Sequence, residues 1–311
     1  MIDLRHHSTY ESVNEIHTIN FSEYSTVVYS DFMDVDERTR WLKDFYQKMS
    51  CEKTKVSFDS VMMQLIINDN HVACMDLNNH LPKPSSKILL DSTSLTFPVI
   101  QYLLLWLKEN NYPFDVLYIE PEEYTQDSNE LQCISNENFV LSEDGPGLVQ
   151  LPPFIGSIQL KTTHVVSIGF EGRRVVGLFN NDQISEQGLT DLRVVIAIPA
   201  FKAGFDRVSL KNNALALQEI SRVARREIMY SSASNPFTML EILEGILKSL
   251  PSDEFEPANM NLIPFGTKPA ALGMAWFAVK HDEEVIVTYD NTKNAGGRSN
   301  GIGKMHLTQF C

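Results

Sequence analysis

The sequence predicts an α/β protein with a Rossmann-like, doubly wound parallel sheet in its C-terminal half and a second α/β unit in its N-terminal half. Three observations carry this expectation. From Val165 onward, five short apolar runs alternate with four stretches of helical periodicity, the pattern of parallel strands joined by crossover helices. Between Lys87 and Ile119 the alternation occurs once more, as strand, helix and strand, which is the spacing of a βαβ unit with a right-handed crossover. The chain has 311 residues, 43 % hydrophobic and 10 % aromatic, enough to fill two cores and unlike a disordered composition. No internal period of about 20–50 residues is present, which excludes a solenoid.

Taken in order, residues 1–25 are polar and read as an arm or loop that Ile16 and Phe21 can anchor. Val27-Val28-Tyr29 reads as a short strand. Asp36 to Met49 reads as a helix, because Trp41, Leu42, Phe45 and Met49 recur at helical spacing. Ser60 to Asn68 and His71 to Leu77 read as two strands around an Asn68-Asp69-Asn70 turn, although Met62-Met63-Gln64-Leu65 also suits a helix. Lys87 to Asp91 is a buried strand, Ser92-Thr93-Ser94 a polar turn with capping potential, and Pro98 fits the first turn of a helix to about Asn110. Val116 to Ile119 is the next strand. Between Thr125 and Thr163 regularity weakens, and Gly145-Pro146-Gly147 and Pro152-Pro153 punctuate the segment. The expected division is therefore 1–160 and 161–311.

In the C-terminal half, Val165 to Phe170 is the first strand, followed by a short helix to about Asn180. Arg193 to Ile198 is the second strand, and Asp206 to Ala224 is helical with Leu210, Ala214 and Leu217 on one face. Glu227 to Tyr230 is the third strand. Asn235-Pro236 opens a helix to Leu250, Asn259 to Phe265 is the fourth strand, Pro269 to Val279 a helix, and Val285 to Tyr289 the last strand.

The formal net charge is −14, so the surface as a whole repels duplex nucleic acid and anionic membranes, and any anion site must be a local positive spot. The cysteines Cys51, Cys74, Cys133 and Cys311 show no CxxC spacing, and the histidines show no HExxH, so reduced thiols and no structural metal are expected. No cofactor motif is evident. The N-terminus lacks a signal-peptide core, and the longest strongly apolar stretch, Val99 to Leu107, is far too short to span a bilayer; the expectation is a cytoplasmic protein.

In an open parallel sheet, ligands bind beyond the carboxyl ends of the strands, so the informative residues are those that follow each strand. The sharpest such segment is Phe265-Gly266-Thr267-Lys268-Pro269. Gly266 lets backbone pass close to a bound group, Thr267 can cap the helix and donate to a ligand, and Lys268 adds a positive charge where helix N–H groups already favour anions. GxxxxGK[ST] is absent, so this is not a Walker A loop. The segment Gly169-Phe170-Glu171-Gly172-Arg173-Arg174 follows the first strand. Arg173 or Arg174 can fork onto phosphate, and pairing with Glu171 accounts for them equally well. Lys202 follows the second strand between Phe201 and Phe205, which suit base stacking or core packing. In the N-terminal half, Ser92 and Thr93 occupy the corresponding place and suit either phosphate or simple capping, while Glu120 to Tyr124 reads as a solvated acidic loop or a metal or ribose site. The glycine-rich stretch from Gly296 to Lys304 reads as a lid over the site or as an ordinary mobile loop.

The Gly266-Thr267-Lys268 loop, placed after the fourth of five strands and followed by Ala270, Ala271, Ala275 and Ala278, resembles the corresponding loop of CARF domains, the CRISPR-associated Rossmann fold. Their hallmark there is Gly-Gly-Thr-Lys-x-Met. This chain has Phe265 at the first glycine and Ala270 at the methionine. Gly169 to Arg174 matches the loop after the first strand, from which that family also contacts ligand. The resemblance covers roughly 165–290. It implies a sensor of cyclic oligoadenylate or a related nucleotide, acting as a homodimer or as a subunit of a prokaryotic antiviral defence complex. The Arg-x4–6-His motif of HEPN ribonucleases is absent, and no PD-(D/E)xK pattern is evident. Two further readings stand beside it. One is an enzyme on a nucleotide or phosphorylated substrate, with Asp91, Asp290 or His281 for acid–base work. The other is a structural subunit.

Overall fold

The computed structural model describes residues 5–30, 36–124, 141–143, 147–158, 162–178, 191–223, 225–250, 259–294 and 299–310. The chain divides into two compact units: Met1–Thr125 together with Ala295–Cys311, and Gln126–Asn294. Among the described residues no helix is long and apolar enough to cross a membrane.

The first unit contains β1 (Arg5–Tyr10), β2 (Tyr24–Tyr29), α1 (Glu37–Lys48), β3 (Glu52–Asp59), β4 (Gln64–Ile67), β5 (Asn70–Ala73), β6 (Lys87–Asp91), α2 (Phe97–Asn110), β7 (Phe114–Ile119) and β8 (Glu123–Tyr124). It is completed from the far end of the chain by β17 (Ser299–Asn300) and β18 (Met305–Phe310). Eight strands form one sheet in the order β1-β18-β7-β6-β2-β3-β4-β5. The strands β7, β6, β2 and β3 run parallel, and the flanking pairs are antiparallel.

Local chemistry accounts for these elements. Asp36 accepts from the Thr39 amide and the Thr39 hydroxyl answers it, so a capping box starts α1, which buries Leu42 and Tyr46. In α2 every side chain from Phe97 to Leu107 is buried, as befits a helix apolar all round. Asn68 and Asp69, at φ 45° and 71°, form the turn joining β4 to β5, which asparagine and aspartate tolerate.

Four expectations change. The polar N-terminal segment is not merely an arm, because it contributes β1 to the sheet. The tail is not simply a loop: Ser299–Asn300 pairs with β8, the Gly301 amide donates to Glu37 (2.7 Å), and β18 lies between β1 and β7. The residues from Ala295 onward thus belong with the first unit, and the compact units part near residue 125 rather than at 160. Gly296, Gly297 and Arg298 lie outside the described residues. Glu120 is no solvated loop residue either; it is buried and accepts from His306 at 2.6 Å.

The second unit contains β9 (Ser142–Glu143), β10 (Leu148–Gln150), β11 (Thr163–Ile168), α3 (Gly172–Gly177), β12 (Asp191–Ala197), α4 (Phe205–Asn212), α5 (Ala214–Val223), β13 (Arg225–Ser231), α6 (Pro236–Ser249), β14 (Met260–Pro264), α7 (Lys268–Lys280), β15 (Val285–Asp290) and β16 (Lys293–Asn294). Its sheet has the order β10-β15-β14-β11-β12-β13, with five parallel strands and β10 antiparallel at one edge. Val166, Ile168, Val194, Ile196, Ile263 and Phe265 share one face with Val175 of α3 and Leu217 of α5. The alternate residues Val165, Val195, Leu262 and Val287 are buried as well, on the side of α6 and α7. Burial on both faces explains the continuous apolar runs. The single helix expected over 206–224 is interrupted at Asn213, whose buried side-chain amide donates to the carbonyls of Gly169 and Ser209.

One polar ladder crosses this sheet near its amino edge. Thr288 donates to the Asn261 carbonyl oxygen (2.7 Å), and the Asn261 amide donates to His164 Nδ1 (3.2 Å). All three side chains are buried, and burial holds the His164 pKa down at about 4. Because the folded value lies below the ordinary 6.5, the folded state binds the proton less well, and stability is lost as pH falls from about 6.5 to 4. The loss should reach about 3 kcal/mol. Urea denaturation at pH 7 and at pH 4.5 should show a smaller difference in His164→Gln than in the wild type; equal differences would remove His164 as the cause.

Candidate functional site

The five parallel strands of the second unit place their carboxyl ends along one edge. β11 comes first in the chain; β12 and β13 follow to one side of it, and β14 and β15 lie on the other. The direction of winding therefore reverses between β11 and β14, where open α/β sheets form a crevice for ligands. The loops that leave those two strands are 169–171 and 265–267, the two segments singled out from the sequence.

The loops are laced together by backbone. The Gly266 amide donates to Ser167 Oγ (3.1 Å) and the Phe265 amide to the Ser167 carbonyl (3.0 Å). A Cβ on Gly169 would lie 2.8 Å from the Phe265 carbonyl oxygen, and one on Gly266 would lie 3.0 Å from Ser167. Gly172 is tighter still, since its Cβ would lie 2.0 Å from the Asn212 carbonyl oxygen. These glycines do mark close approach, but what approaches is the protein's own chain. Thr267 caps α7, accepting from the Ala270 amide (3.4 Å), while its hydroxyl donates to the Ala233 carbonyl (2.8 Å). Lys268 is the first residue of α7 and is half-buried.

Arg174 is the best-positioned cation of this edge. Its Nε donates to Asp290 Oδ2 at the end of β15 (2.8 Å), its Nη1 lies 4.0 Å from Glu171 Oε2, and its guanidinium sits 4.6 Å over the Phe265 ring. Glu171 also accepts from the Leu141 amide (3.1 Å) and, more loosely, from Arg173 (3.4 Å), whose side chain is largely exposed. Arg173 thus meets Glu171, as one of its two readings has it, at an exposed position. Arg174 has a stronger partner, Asp290, which is 116 residues away in sequence and was read there as an acid–base candidate, not as the partner of an arginine. Lys202 lies exposed in the loop after β12. Phe205 packs edge-on against Phe170 (5.2 Å), and both Phe201 and Phe205 are half-buried. His281 lies at the far end of α7, held between Glu244 (3.2 Å) and Glu284 (3.1 Å).

In the first unit, Ser92 and Thr93 are buried and hydrogen-bonded within the protein. Ser92 donates to the Leu117 carbonyl (2.9 Å), and Thr93 Oγ1 accepts from the Ile119 amide (3.0 Å). They fasten the end of β6 to β7, and α2 starts later, with Thr96 at the capping position. Asp91 is buried as well and accepts from the Thr93 amide (2.9 Å) and the Ser94 hydroxyl (2.7 Å). Among the described residues no group of three histidine, cysteine or acidic side chains is arranged to hold a metal ion. No family model matches the chain, and no curated protein matches it.

Proposed function

We propose that the second unit is a Rossmann-like, CARF-like domain that binds an anionic nucleotide ligand, and that the chain is a nucleotide-sensing regulatory protein of a prokaryotic antiviral defence system, with a cyclic oligonucleotide as the ligand class. The observation that carries this reading is the strand order. It sets the loops after β11 and β14 at the point where the winding reverses, with Arg174 on one side and Lys268 on the other. On an acidic chain, Lys268 and Arg174 are the cations that an anion meets at this edge, Arg174 in exchange for its carboxylate partners. The half-buried Lys268 adds its charge to the amino end of a 13-residue helix. In this reading Thr267 and Gly266 shape the loop without touching the reacting chemistry, and the site binds rather than cuts.

The test is a melting-temperature screen of the pure protein against a panel of nucleotides that includes cyclic oligoadenylates, with ligand breakdown followed in the same samples. A ligand at 100 times its Kd should add about 2.7 kcal/mol of stability, a shift of several degrees. Lys268→Ala should weaken binding roughly tenfold to a hundredfold, the worth of one charge-assisted hydrogen bond. Turnover of the ligand would move the assignment to an enzyme. No shift with any nucleotide would end both readings.

A further inference from the structure

We infer that Arg174 is a latch: in the unliganded chain the carboxylates of Asp290 and Glu171 occupy the guanidinium that an anionic ligand takes over on binding. The inference rests on the anion-binding reading of this edge and adds how the site is kept closed and how its filling is relayed.

The geometry supports the exchange. A guanidinium presents a planar fork that a carboxylate or a phosphate can fill in the same way. In this chain one edge of the fork faces Asp290 Oδ2 at 2.8 Å and another faces Glu171 Oε2 at 4.0 Å. The side chains of Arg174 and Asp290 keep 15 % and 12 % of their surface exposed, so the pair is mostly covered and open to solvent along a narrow rim. A phosphate carries more charge than the carboxylate it replaces and fills the same fork, so it competes for the guanidinium from that rim. Phe265 holds the guanidinium from the ring side (4.6 Å), so Arg174 stays in place when its partners leave.

Both carboxylates also carry a strand of one small ribbon. β9 follows Leu141, whose amide donates to Glu171 Oε1 at 3.1 Å, and β16 follows Asp290 after two residues. Among the described residues β9 and β16 pair only with each other, Ser142 with Asn294 and Glu143 with Lys293. Arg174 therefore links the attachment points of both strands. Taking Asp290 and Glu171 off Arg174 loosens the ribbon at each root.

The experiment uses the full chain, with the nucleotide that shifts the wild type most in the screen above and with inorganic pyrophosphate as a phosphate-only probe. Asp290→Asn should bind the nucleotide about fivefold tighter than the wild type, because a competing charge is gone while the side-chain shape is kept. Arg174→Gln should lose that gain in the double variant. Independently of any variant, amide exchange in 141–143 and 290–294 of the wild type should quicken when the probe is added. Equal or weaker binding by Asp290→Asn while the wild type binds, or unchanged or slower exchange in the ribbon, would overturn the latch and leave the sensor reading standing. If no probe binds the wild type or Asp290→Asn, the sensor reading and the latch fall together.

Discussion

Replacing Arg38 by alanine is expected to destabilise the protein by about 3–5 kcal/mol, because it leaves a buried carboxylate without its counter-charge. Asp36 and Arg38 are both buried, with Arg38 Nη2 2.5 Å from Asp36 Oδ2. The guanidinium also donates to the Ile119 carbonyl at the end of β7 (3.0 Å) and to Ser299 Oγ (3.2 Å), and Ser299 donates in turn to Asp36 (3.0 Å). Three distant pieces of chain meet here: the start of α1, the end of β7 and the strand that returns from the C-terminus. Truncation removes the charge, uncovers the Ile119 carbonyl and takes one of the two partners of Ser299. Asp36 must then either stay ionised in a dry site or take up a proton, and both cost free energy. The double change Asp36→Asn with Arg38→Met keeps a capping oxygen and removes both charges. It is expected to lose less than Arg38→Ala alone, since a neutral pair carries no desolvation penalty. Urea denaturation of the wild type and these variants decides it. A loss under about 1 kcal/mol for Arg38→Ala would put the pair in the class of exposed ion pairs and sink the argument.

The second unit was legible because its strands are buried on both faces. Their sequences are continuous apolar runs, and the turns between them are marked by Gly169, Pro199, Asn235-Pro236 and Gly266-Thr267-Lys268-Pro269. The start of α7 was read correctly down to the role of Thr267 as its cap. Less legible was everything that depends on a distant partner. β1 and β18 pair Arg5 with Phe310 and Tyr10 with Met305; the polar hexapeptide of β1 does not announce this partner, and the apolar Met305, Leu307 and Phe310 of β18 do not say which strand they lie beside. His306 and Thr308 look like loop residues until Glu120 and His7 are placed beside them, at 2.6 Å and 3.1 Å. β3 was missed although Thr54 and Val56 are buried in alternation, because Lys53 and Lys55 mask the apolar face. The site shows the same division. Arginines and glycines after β11 were visible as candidates, whereas the occupant of each space was not: Asp290 for Arg174, the Asn212 backbone for Gly172. A glycine in sequence records that something comes close, and only the fold says what.

For that reason Gly172→Ala separates the two meanings of a glycine in this loop. In an ordinary helix position the change gains about 0.5–1 kcal/mol, because alanine loses less entropy on folding. Here the new methyl group would lie 2.0 Å from the Asn212 carbonyl oxygen, 2.9 Å from its carbon and 3.3 Å from the Asn213 Cα. The obstacle is backbone, so no rotamer relieves it. Nor can the α4–α5 junction step back freely. The Ser209 hydroxyl (2.9 Å) and the Asn213 amide (2.8 Å) both donate to the Gly169 carbonyl, and the Asn212 amide donates to the Phe170 carbonyl (3.0 Å). Making room means breaking some of these bonds, in the loop that carries Glu171, Arg173 and Arg174. A net loss of about 2–3 kcal/mol is expected, the upper part of the usual cost of overpacking. The measurement is the urea midpoint at constant slope, so that a change in stability is not confused with a change in compactness. If the variant is instead more stable by about the helix-propensity gain, the loop yields without penalty, and Gly172 was kept open for something other than Asn212.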